Sequence, residues 1–543
     1  MAESEAHIVE RFAAIVGPDH VDFDPQSLAR RFPSTAPHAH RPLGCVSPQT
    51  TDEVLAVVKA ARMLGVALYP ISRGRNWGYG DAAPTTPGQV IVDLSRMNRI
   101  RKIDDRLAYA TIEPGVTQGQ LSAALAERGD RLWCDVTGAG PEASIVGNVL
   151  ERGYGHTAYG DRLRSVCGLE VVLGDGSVVR TGFSGVTGSA VGAVYPYGIG
   201  PYLDGLFTQS GFAIVTEMTI WLMPAPEQFT AVLCQLANEQ DIGELVERIR
   251  VLRLEGTLNS IVHIANDLRL ISGRVQYPET RTGGHVPLPR PVRRELAHAL
   301  DIAPWSFSAA LYGDRAQVRA ARRRVNAILK DLKCKLYFID DRKLALGKLA
   351  ARVIGFTGVG RRLRERLDLV EPAIGLLKGR PTNAFLAGAY WRAQDAMANT
   401  ENPDPARDGC GLLWHAPVLP ATGEDVRRLI EIVEPILAAY AIDFLLTLSS
   451  VTARSLSAVM TIAFRQNDPE EKGRATACYH ELVEATARGG YPAYRANSQM
   501  MDVALRTVAG RGSYWTMIAN IKAALDPDGV IAPGRYLPDG AVR

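Results

Sequence analysis

The order of apolar and polar residues along the first 225 positions predicts short strands and helices separated by glycine-rich turns. Apolar residues recur at helical spacing between positions 54 and 64, so we expect a helix over residues 51–64. Further runs predict strands at 67–71, 89–93 and 108–112 and a helix over 118–128. In residues 140–160 glycines recur without a helical period, which predicts a poor helix whose backbone is held close to something large.

From about residue 227 the order changes to strand, helix, strand, and it occurs twice. The first set is predicted as strands 230–236, 307–311 and 335–339 with helices 242–252 and 315–332. The second set is predicted as strand 412–418, helix 424–440, two strands within 444–464 and helix 471–487. Residues 276–291 are rich in proline, glycine and polar residues and are expected to form a loop. This half is therefore expected to be α+β, an antiparallel sheet covered on one face by helices.

A chain of 543 residues is too long for one hydrophobic core, so two or more domains are expected. The composition, 46% hydrophobic and 22% charged, is typical of a globular protein. A formal net charge of +3 gives no reason to expect nucleic acid or an anionic membrane as a partner. The densest basic run, residues 319–324, is interpreted as a solvated helix face.

The start of the chain has no basic segment followed by an apolar run, so no secretory signal is predicted. No apolar run is long enough to predict a membrane span. The seven cysteines are scattered singly without a CxxC pair, which argues against a structural zinc or other metal site and fits a reducing compartment. A cytoplasmic location is therefore expected.

The loop at residues 70–80, PISRGRNWGYG, is a first candidate for binding chemistry. Its three glycines allow several backbone N–H groups to point at one place, which suits an anion such as a pyrophosphate. An ordinary hairpin loop explains the spacing equally well. No GKS or GKT follows, and no GxGxxG joins a strand to a helix, which argues against a Walker loop and a Rossmann nicotinamide site.

Four motifs together resemble one family of flavoproteins. They are the loop at 70–80, ASIVGNVLERGYGHTAYGD at 143–161, YPYGIGPYLDGLFTQSGFAIVT at 195–216 and DPDGVIAPGR at 526–535. Their order and spacing are similar to those of the vanillyl-alcohol oxidase/para-cresol methylhydroxylase (PCMH) flavoproteins, which oxidise 4-substituted phenols. The resemblance covers nearly the whole chain.

This resemblance implies a PCMH-type bipartite FAD-binding domain formed by residues 1–226 and 491–543. Residues 227–490 would form a cap domain over the flavin, which agrees with the change of pattern near residue 227. The implied substrate is a para-substituted phenol, and the implied electron acceptor is O2 or an electron-transfer protein. The resemblance also implies a homodimer.

The same resemblance implies which residues bind FAD. They correspond to Ser72, Arg73, Gly74, Arg75, Asn76, Gly78, Pro141, Ser144, Ile145, Gly147, Asn148, Gly153, Gly155, Ile214, Val215 and Arg535. Gly153 and Gly155 would let the chain pass the flavin closely, and Ile214 and Val215 would contact the adenine end. Arg535 would place a cation near the flavin N1–C2 carbonyl, where it stabilises the anionic reduced ring. A surface salt bridge is the alternative for Arg535.

Tyr79, Tyr494 and Arg495 match the family's tyrosine–tyrosine–arginine cluster. Two phenolic donors and a guanidinium bind a phenolate oxygen and lower the substrate's pKa, so that hydride leaves the benzylic carbon and a para-quinone methide forms. Without the resemblance, each tyrosine is more often a core residue. The rest of an aromatic, partly polar pocket is expected from Tyr154, Trp414, Phe444, Thr447 and Ser457.

One departure from the family concerns the covalent tether of the flavin. The His or Tyr that many members use aligns with Leu412, which cannot form the bond. Strand alternation is expected to point His415 to the opposite face. Non-covalent FAD is therefore predicted, although a shift in register would bring His415 or Cys410 near the ring.

A second departure concerns the acid or base. Gly138 stands where vanillyl-alcohol oxidase-like members carry an Asp, and Glu142 is the nearest carboxylate. His156 replaces a usual Tyr and has an ordinary pKa suited to a general base, while a plain hydrogen-bonding role is an equal alternative. The quinone methide can add water, lose a proton to give a vinyl phenol, or expel CO2. If neither Glu142 nor His156 serves, elimination or oxidative decarboxylation is favoured over hydration.

Two other functions remain open from the sequence. An FAD-linked 2-hydroxy-acid dehydrogenase shares the FAD domain, but it gives the two tyrosines no task and leaves Arg495 as the only obvious carboxylate anchor. A non-catalytic flavin-binding protein is the third reading, because the tether and the base are altered.

Overall fold

The computed structural model describes residues 5–393, 402–508 and 512–538. Its first layer consists of α1 (Glu5–Val16), β1 (Val21–Asp22), α2 (Pro25–Arg31), β2 (Gly44–Val46), α3 (Thr51–Leu64), β3 (Leu68–Ile71) and β4 (Val90–Asp93). The four strands lie in the order β1-β2-β4-β3, and β2, β4 and β3 are parallel. Every residue of β4 is buried, as expected of a central parallel strand.

Helix α3 confirms the prediction made from its apolar stripe. Its start is fixed by Thr50, whose hydroxyl accepts from the N–H of Glu53 at 3.1 Å. Its end is fixed by Gly65, which adopts the left-handed conformation at φ 64°. Local chemistry therefore sets both ends of this helix.

The second layer is an antiparallel sheet followed by a two-stranded ribbon. Its elements are β5 (Ile100–Asp104), β6 (Tyr109–Ile112), α4 (Gln118–Glu127), β7 (Leu132–Trp133), α5 (Ile145–Leu150), β8 (Val166–Leu173), β9 (Val178–Arg180), β10 (Ala213–Trp221) and β11 (Met223–Pro224). Five strands lie in the order β5-β6-β10-β8-β9, and β11 pairs with β7. Helix α5 lies inside the glycine-rich stretch for which a poor helix was expected, and it is only six residues long.

The third layer is the predicted antiparallel sheet with helices on one face. Its strands are β12 (Gln228–Leu236), β13 (Val262–Asn266), β14 (Trp305–Gly313), β15 (Cys334–Ile339), β16 (Cys410–His415), β17 (Val418–Pro420), β18 (Leu445–Ser450) and β19 (Ser455–Arg465). They lie in the order β15-β12-β14-β13-β18-β19-β16, with β17 beside β19. The α+β fold class is therefore confirmed.

The helices of this part are α6 (Ile242–Leu254), α7 (Asp267–Ser272), α8 (Glu279–Thr282), α9 (Arg290–Ala299), α10 (Arg315–Leu329), α11 (Asp341–Val353), α12 (Gly358–Leu377), α13 (Gly423–Ala439) and α14 (Pro469–Arg488). α6, α10, α13 and α14 share one buried apolar core with the sheet. α10 confirms the interpretation of the basic run, since its arginines at 319 and 322–324 are exposed. α8 and the start of α9 lie within the predicted loop, so that stretch is more helical than its composition indicated.

The last described residues return to the first layer. After α15 (Met501–Arg506) and α16 (Gly512–Leu525), Leu68 of β3 donates to the carbonyl of Val530 at 2.8 Å and accepts from Ala532 at 2.7 Å. Ile531, between them, is fully buried in the core of that layer. The boundaries at residues 226 and 490 stay a prediction.

Short 3-10 helices complete the described elements, at Pro18–His20, Leu94–Arg96, Arg162–Ser165, Gly182–Gly185, Asp204–Phe207, Glu239–Asp241, Ala384–Tyr390 and Ser498–Met500. Within the described ranges no helix is long and apolar enough to cross a membrane. Nor does this part of the chain group three or more His, Cys, Asp or Glu side chains as a metal site would. All seven cysteines are free thiols.

A buried ion pair fixes the returning segment, and its removal is expected to destabilise the fold. Lys522 Nζ lies 2.5 Å from the Asp526 carboxylate, which also accepts from the N–H groups of Val530 and Ile531. Asp526→Ala leaves the ammonium unpaired, so we expect a loss of about 3–5 kcal/mol. The fall in the urea concentration at the midpoint of unfolding measures this loss of stability. Asp528→Ala, which breaks an exposed pair, is the control and should change stability by about 0–1 kcal/mol.

Candidate functional site

The glycine loop after β3 is anchored by a buried carboxylate. Asp81 accepts from Ser34 Oγ and from the N–H of Thr35, both at 2.7 Å. Thr35 Oγ1 in turn accepts from the N–H of Gly78 at 3.0 Å. Burial raises the pKa of Asp81 to about 7 against the opposing effect of these hydrogen bonds. The loop is therefore held from outside its own sequence.

The inner part of this loop fits a pyrophosphate. The backbone N–H groups of Arg73, Gly74, Arg75 and Asn76 have no hydrogen-bond partner among the described residues, and such a row of free donors suits an anion. The adjoining cavity is lined by Pro70, Ile71, Ser72, Leu94, Leu150, Phe207, Gln209, Ser210, Ala213, Val215 and Arg535. An apolar cleft with one cation and a donor cradle matches the FAD that the resemblance implies.

A buried carboxylate, Glu151, joins two guanidinium groups from distant parts of the chain. Its oxygens accept from Arg495 Nε at 3.2 Å and from Arg535 Nη2, and the hydroxyl of Tyr536 donates to it at 2.7 Å. Burial alone would raise the pKa of Glu151, but Arg535 and Arg495 outweigh it and lower the pKa. Two cations and one anion leave a net positive charge. Arg535 is thus in a buried ion pair, not in the surface pair considered as its alternative.

The structure brings Tyr79, Tyr494 and Arg495 together. The guanidinium of Arg495 lies over the Tyr79 ring, 4.1 Å from its centroid, and donates to Asn76 Oδ1. Burial raises the pKa of Tyr79, and the neighbouring Tyr494 raises it further, so the phenol of Tyr79 keeps its proton. Trp414 meets Tyr79 edge-on at 5.5 Å between centroids. The cation of Arg495 and the protonated phenol of Tyr79 therefore face one site.

Backbone contacts fix this cluster to the glycine loop. Ser498 donates its N–H to the carbonyl of Tyr79 at 2.9 Å, and Asn497 Nδ2 donates to the carbonyl of Gly78 at 3.0 Å. Gly78 has φ 74°, and a Cβ there would lie 2.8 Å from Trp414 Cγ. Glycine is therefore required at this position both by its backbone and by the indole packed against it.

Gly153 and Gly155 were expected to make room for the flavin. The space that a Cβ at each position would occupy is filled by other side chains of the protein. A Cβ at Gly155 would overlap the carboxylate of Asp135, and one at Gly153 would overlap the amide of Asn148. Arg162 holds both partners, through Asp135 Oδ2 at 2.8 Å and Asn148 Oδ1 at 2.8 Å. Gly155 makes room for a buried ion pair, and Gly153 makes room for the amide that the arginine of this pair holds.

Two half-buried histidines face each other beside that pair. The ring centroids of His156 and His263 are 4.1 Å apart. Nε2 of His263 lies 3.1 Å from the carbonyl of Gly155, which only accepts, so Nε2 carries the proton and Nδ1 accepts from Ser449 Oγ at 2.9 Å. Burial lowers the pKa of His263 to about 4. Burial and then His263 lower the pKa of His156 well below its usual value.

Glu142 does not join the histidines. Its carboxylate accepts from Arg73 at 2.7 Å, and 40% of its side chain is exposed. His156 donates its backbone N–H to Asp135 at 3.0 Å, so its position is set by Asp135. Of the two candidate bases, only His156 lies among the aromatic rings.

Several residues within 141–147 that were expected to bind FAD make contacts with other parts of the protein. Ser144 caps α5 by accepting from the N–H of Gly147 at 3.0 Å and donates to the carbonyl of Pro114. Ile145 is buried in the core of the second layer, and the carbonyl of Pro141 accepts from Gly119 at 2.8 Å. Gly147 remains the point of close approach to the first loop, since a Cβ there would lie 3.2 Å from the Ser72 side chain.

The remaining predicted residues divide between the cavity and the core. Val215 lines the cavity, whereas Ile214 is buried in the core of the first layer. Phe444 packs against the core of the third layer, and Thr447 is half-buried on β18. Ser457 is buried on β19, and its Oγ has no hydrogen-bond partner in the structure.

Strand β16 places Leu412 as expected. Its N–H donates to the carbonyl of Thr35 at 2.8 Å, and its side chain packs with Trp77 and Leu386. His415 points to the opposite face, where its Nε2 donates to Thr486 Oγ1 at 2.9 Å. Cys410 shares the face of Leu412 because side chains alternate along a strand.

Sequence reasoning missed Glu151, His263 and the pair of Asp135 with Arg162. Glu151, Arg162 and Asp135 lie within or beside the quoted glycine-rich motif, so their charges were a usable signal. His263 is a lone histidine in an apolar strand, a pattern that normally indicates a core residue.

Comparison with known proteins agrees with this geometry. Residues 42–182 match the model of an FAD-binding domain family. The chain is 37% identical to 1'-carboxy-chondrochloren decarboxylase of Chondromyces crocatus, covering 97% of this chain and 96% of the relative. It is 33% identical to the 4-cresol dehydrogenase [hydroxylating] flavoprotein subunit of Pseudomonas putida, covering 97% and 94%. The structure of p-cresol methylhydroxylase with substrate bound superposes with a TM-score of 0.86 at 31% identity, covering 98% and 97%.

The low pKa of His263 is expected to make the protein sensitive to acid. The pKa of His263 is about 4 in the folded protein and about 6.5 in the unfolded chain, so the unfolded chain binds an extra proton between these values. Stability should therefore fall by about 3 kcal/mol as the pH drops from about 6.5 to 4. Urea midpoints across this range measure the slope. His263→Gln should flatten it and the exposed His298→Gln should not, and an equal slope in all three would refute the assignment.

Proposed function

Because the chain belongs to the vanillyl-alcohol oxidase/para-cresol methylhydroxylase family of FAD-dependent oxidoreductases, we propose that it oxidises a para-substituted phenol at its benzylic carbon. The observation that carries the proposal is the buried cluster of Arg495, Tyr79 and Tyr494 beside the FAD cradle. A 2-hydroxy acid needs a single cationic anchor, whereas this cluster adds two phenolic donors suited to an aryl oxygen.

The cluster first binds and activates the phenol. Burial lowers the pKa of Arg495, but the charge of Glu151 outweighs it and the pKa is raised, so the guanidinium stays charged. Its charge and the hydroxyl groups of Tyr79 and Tyr494 stabilise a phenolate, which raises electron density at the para position. When bound, FAD accepts the hydride that the benzylic carbon then releases. The same three groups hold the carbonyl oxygen of the resulting para-quinone methide.

The protein groups near the substrate's side chain favour a quinone methide that reacts further without the help of a base. His156 is uncharged, and its low pKa makes it a weak general base near neutral pH. Glu142 is engaged by Arg73. Hydration and proton loss both need a base, whereas loss of CO2 needs none. We therefore place oxidative decarboxylation first, desaturation second and hydration last, in agreement with the decarboxylase name of one relative.

Product analysis tests this order. The holoenzyme is given one anaerobic turnover with a neutral 4-alkylphenol or a 4-hydroxyphenyl-alkanoate in 18O-labelled water. Bleaching of the flavin by phenols and a vinyl phenol plus CO2 from the carboxylated substrate are expected. A labelled benzylic alcohol that persists in His156→Gln and Glu142→Gln variants would overturn the order. Bleaching by lactate but not by phenols would overturn the function itself.

Removing the activating cation is expected to slow flavin reduction. Arg495→Met eliminates a charge next to the developing phenolate, so the single-turnover reduction rate should fall roughly 100- to 1000-fold. Arg495→Lys should recover part of that loss. Arg506→Met, which breaks an exposed pair, is the control and should reduce its flavin at the normal rate. An unchanged rate in Arg495→Met contradicts the role proposed for this residue.

We propose that FAD is held without a covalent bond. Leu412 cannot form one, and His415 lies on the far face with a lowered pKa of about 3 that results from burial. Precipitation with acid should therefore release all flavin into the supernatant. Flavin that stays with the protein in wild type, but is lost in Cys410→Ser or His415→Gln, would identify the tether and contradict the proposal.

The acceptor, assembly and location follow the family in our proposal. We expect the flavin to be reoxidised by O2 or an electron-transfer protein, the protein to be a homodimer, and its location to be the cytoplasm. Mixing the reduced holoenzyme with O2 separates the two acceptors. Reoxidation within the turnover time indicates an oxidase, and slow reoxidation indicates a protein acceptor.

A further inference from the structure

The hairpin formed by α11 and α12 has an apolar face that the described part of the chain leaves uncovered. One side of α11 packs on α12, since Ala351 is buried and a Cβ at Gly347 would lie 3.2 Å from Leu367. The opposite side carries three exposed apolar residues at helical spacing, Leu346, Leu349 and Val353. A surface helix needs one apolar stripe to pack against its neighbours, so packing of the hairpin does not explain the second stripe.

The exposed stripe continues into the turn between the two helices. Phe356 is 86% exposed and Val359 is 69% exposed. The turn is ordered, because Thr357 caps α12 and donates its hydroxyl to the carbonyl of Ile354 at 2.7 Å. The turn therefore holds two apolar side chains in solvent next to Val353. These three residues, Val353, Phe356 and Val359, are called the apolar tip below.

The charges around the apolar tip are all positive. Residues 342–364 contain seven Lys and Arg and no Asp or Glu. Three of them, Arg352, Arg361 and Arg362, flank the apolar tip in sequence and are exposed. Within the described ranges no carboxylate forms an ion pair with these three arginines. The end of the hairpin therefore combines unpaired cations with uncovered apolar surface.

Helix α10 shows which of these features an ordinary basic helix lacks. Its arginines at 319 and 322–324 are exposed as well. Its apolar residues Val325 and Leu329 are buried against the third layer, so α10 presents charge alone. The hairpin differs from α10 by the apolar tip and not by its charge.

We propose that the end of this hairpin binds the surface of an anionic lipid bilayer. Such a surface presents negatively charged headgroups above apolar acyl chains, and an interfacial helix buries its apolar side there by about 5–10 Å. The three arginines match the headgroups, and the apolar tip matches the acyl chains. Nucleic acid would leave the apolar tip in water, and an apolar protein surface would leave the arginines unpaired.

The charge of the whole chain conceals this feature. The chain carries +3, so the +7 of residues 342–364 leaves −4 on the remainder. A molecule with its positive charge gathered at one end is turned by the field of an anionic surface so that this end arrives first. The net charge gave no reason to expect a membrane because it averages the two parts. The inference goes beyond the proposed oxidation and does not depend on the substrate.

Cosedimentation of the holoenzyme with vesicles tests the cationic half of the contact. Vesicles of phosphatidylcholine alone are compared with vesicles of equimolar phosphatidylcholine and phosphatidylglycerol. Wild type should sediment with the anionic vesicles only, and added salt should weaken this binding by screening exposed charges. R361Q/R362Q should lower the partition coefficient roughly 10- to 30-fold, the effect of two cations near an anionic surface. R319Q/R323Q on α10 is the matched control and should bind as wild type does.

The apolar half of the contact has its own pair of variants. F356S/V359S keeps every charge and removes two side chains that would enter the acyl layer, so the partition coefficient should fall at least roughly 10-fold. M63S/L107S removes two exposed apolar side chains elsewhere on the molecule and should leave binding unchanged. All of these positions are exposed, so each variant should melt as wild type does.

Three results would overturn the inference. One is wild type that sediments equally with both kinds of vesicle, or with neither. Another is F356S/V359S that binds anionic vesicles as wild type does, since an acidic protein would fit a purely electrostatic contact equally well. The third is a dimer that F356S/V359S, but not M63S/L107S, converts into monomers in analytical ultracentrifugation, because the apolar tip then contacts a second copy. Bleaching of the flavin by phenols is measured without vesicles, and its failure would bear on the proposed oxidation alone.

Discussion

The candidate site depends on one carboxylate that lies between two guanidinium groups. Glu151 follows α5 in the second layer, Arg495 follows α14, and Arg535 lies in the segment that returns to β3. Arg495 is buried and Arg535 is half-buried, so without an anion the two would repel each other and their desolvation would go uncompensated. Glu151 supplies that anion and also leaves one unit of positive charge. The same contact thus brings three distant stretches of chain together and gives the site the positive charge on which the proposed binding of a phenolate rests.

A second buried pair organises the opposite wall. Asp135 and Arg162 fix the backbone of His156, and the carbonyl of Gly155 accepts a hydrogen bond from Nε2 of His263. Each of the two ion pairs includes a residue within or beside the glycine-rich stretch at 140–160. The walls differ in charge, since one presents guanidinium and phenol groups and the other presents uncharged imidazoles. In the proposed reaction this difference orients the phenol, with its aryl oxygen on the charged side.

Local signals made parts of this structure predictable from the sequence. The apolar stripe with Thr50 before it and Gly65 after it specifies α3, and strand alternation alone placed His415 opposite Leu412. The motifs identified the family, the fold class and FAD. Long-range partners were beyond reach, because nothing near Gly155 in sequence reveals that Asp135 fills the space of its Cβ. Glu142 was expected as a candidate base, yet it pairs with Arg73 instead of joining the histidines.

The distribution of charge also bears on how an enzyme without the family's acidic base can complete its reaction. Placing an Asp at Gly138 would set a carboxylate beside Phe385 and the uncharged imidazole of His156. That anion would have no counter-ion in this pair of rings, and it would repel an anionic side chain of a substrate. A glycine there removes both problems and keeps the middle of the site neutral. Absence of the base and the proposed loss of CO2 are then compatible with one electrostatic requirement, because the departing CO2 leaves the electron pair of its C–C bond on the substrate, the pair that a base would otherwise have to free by removing a proton.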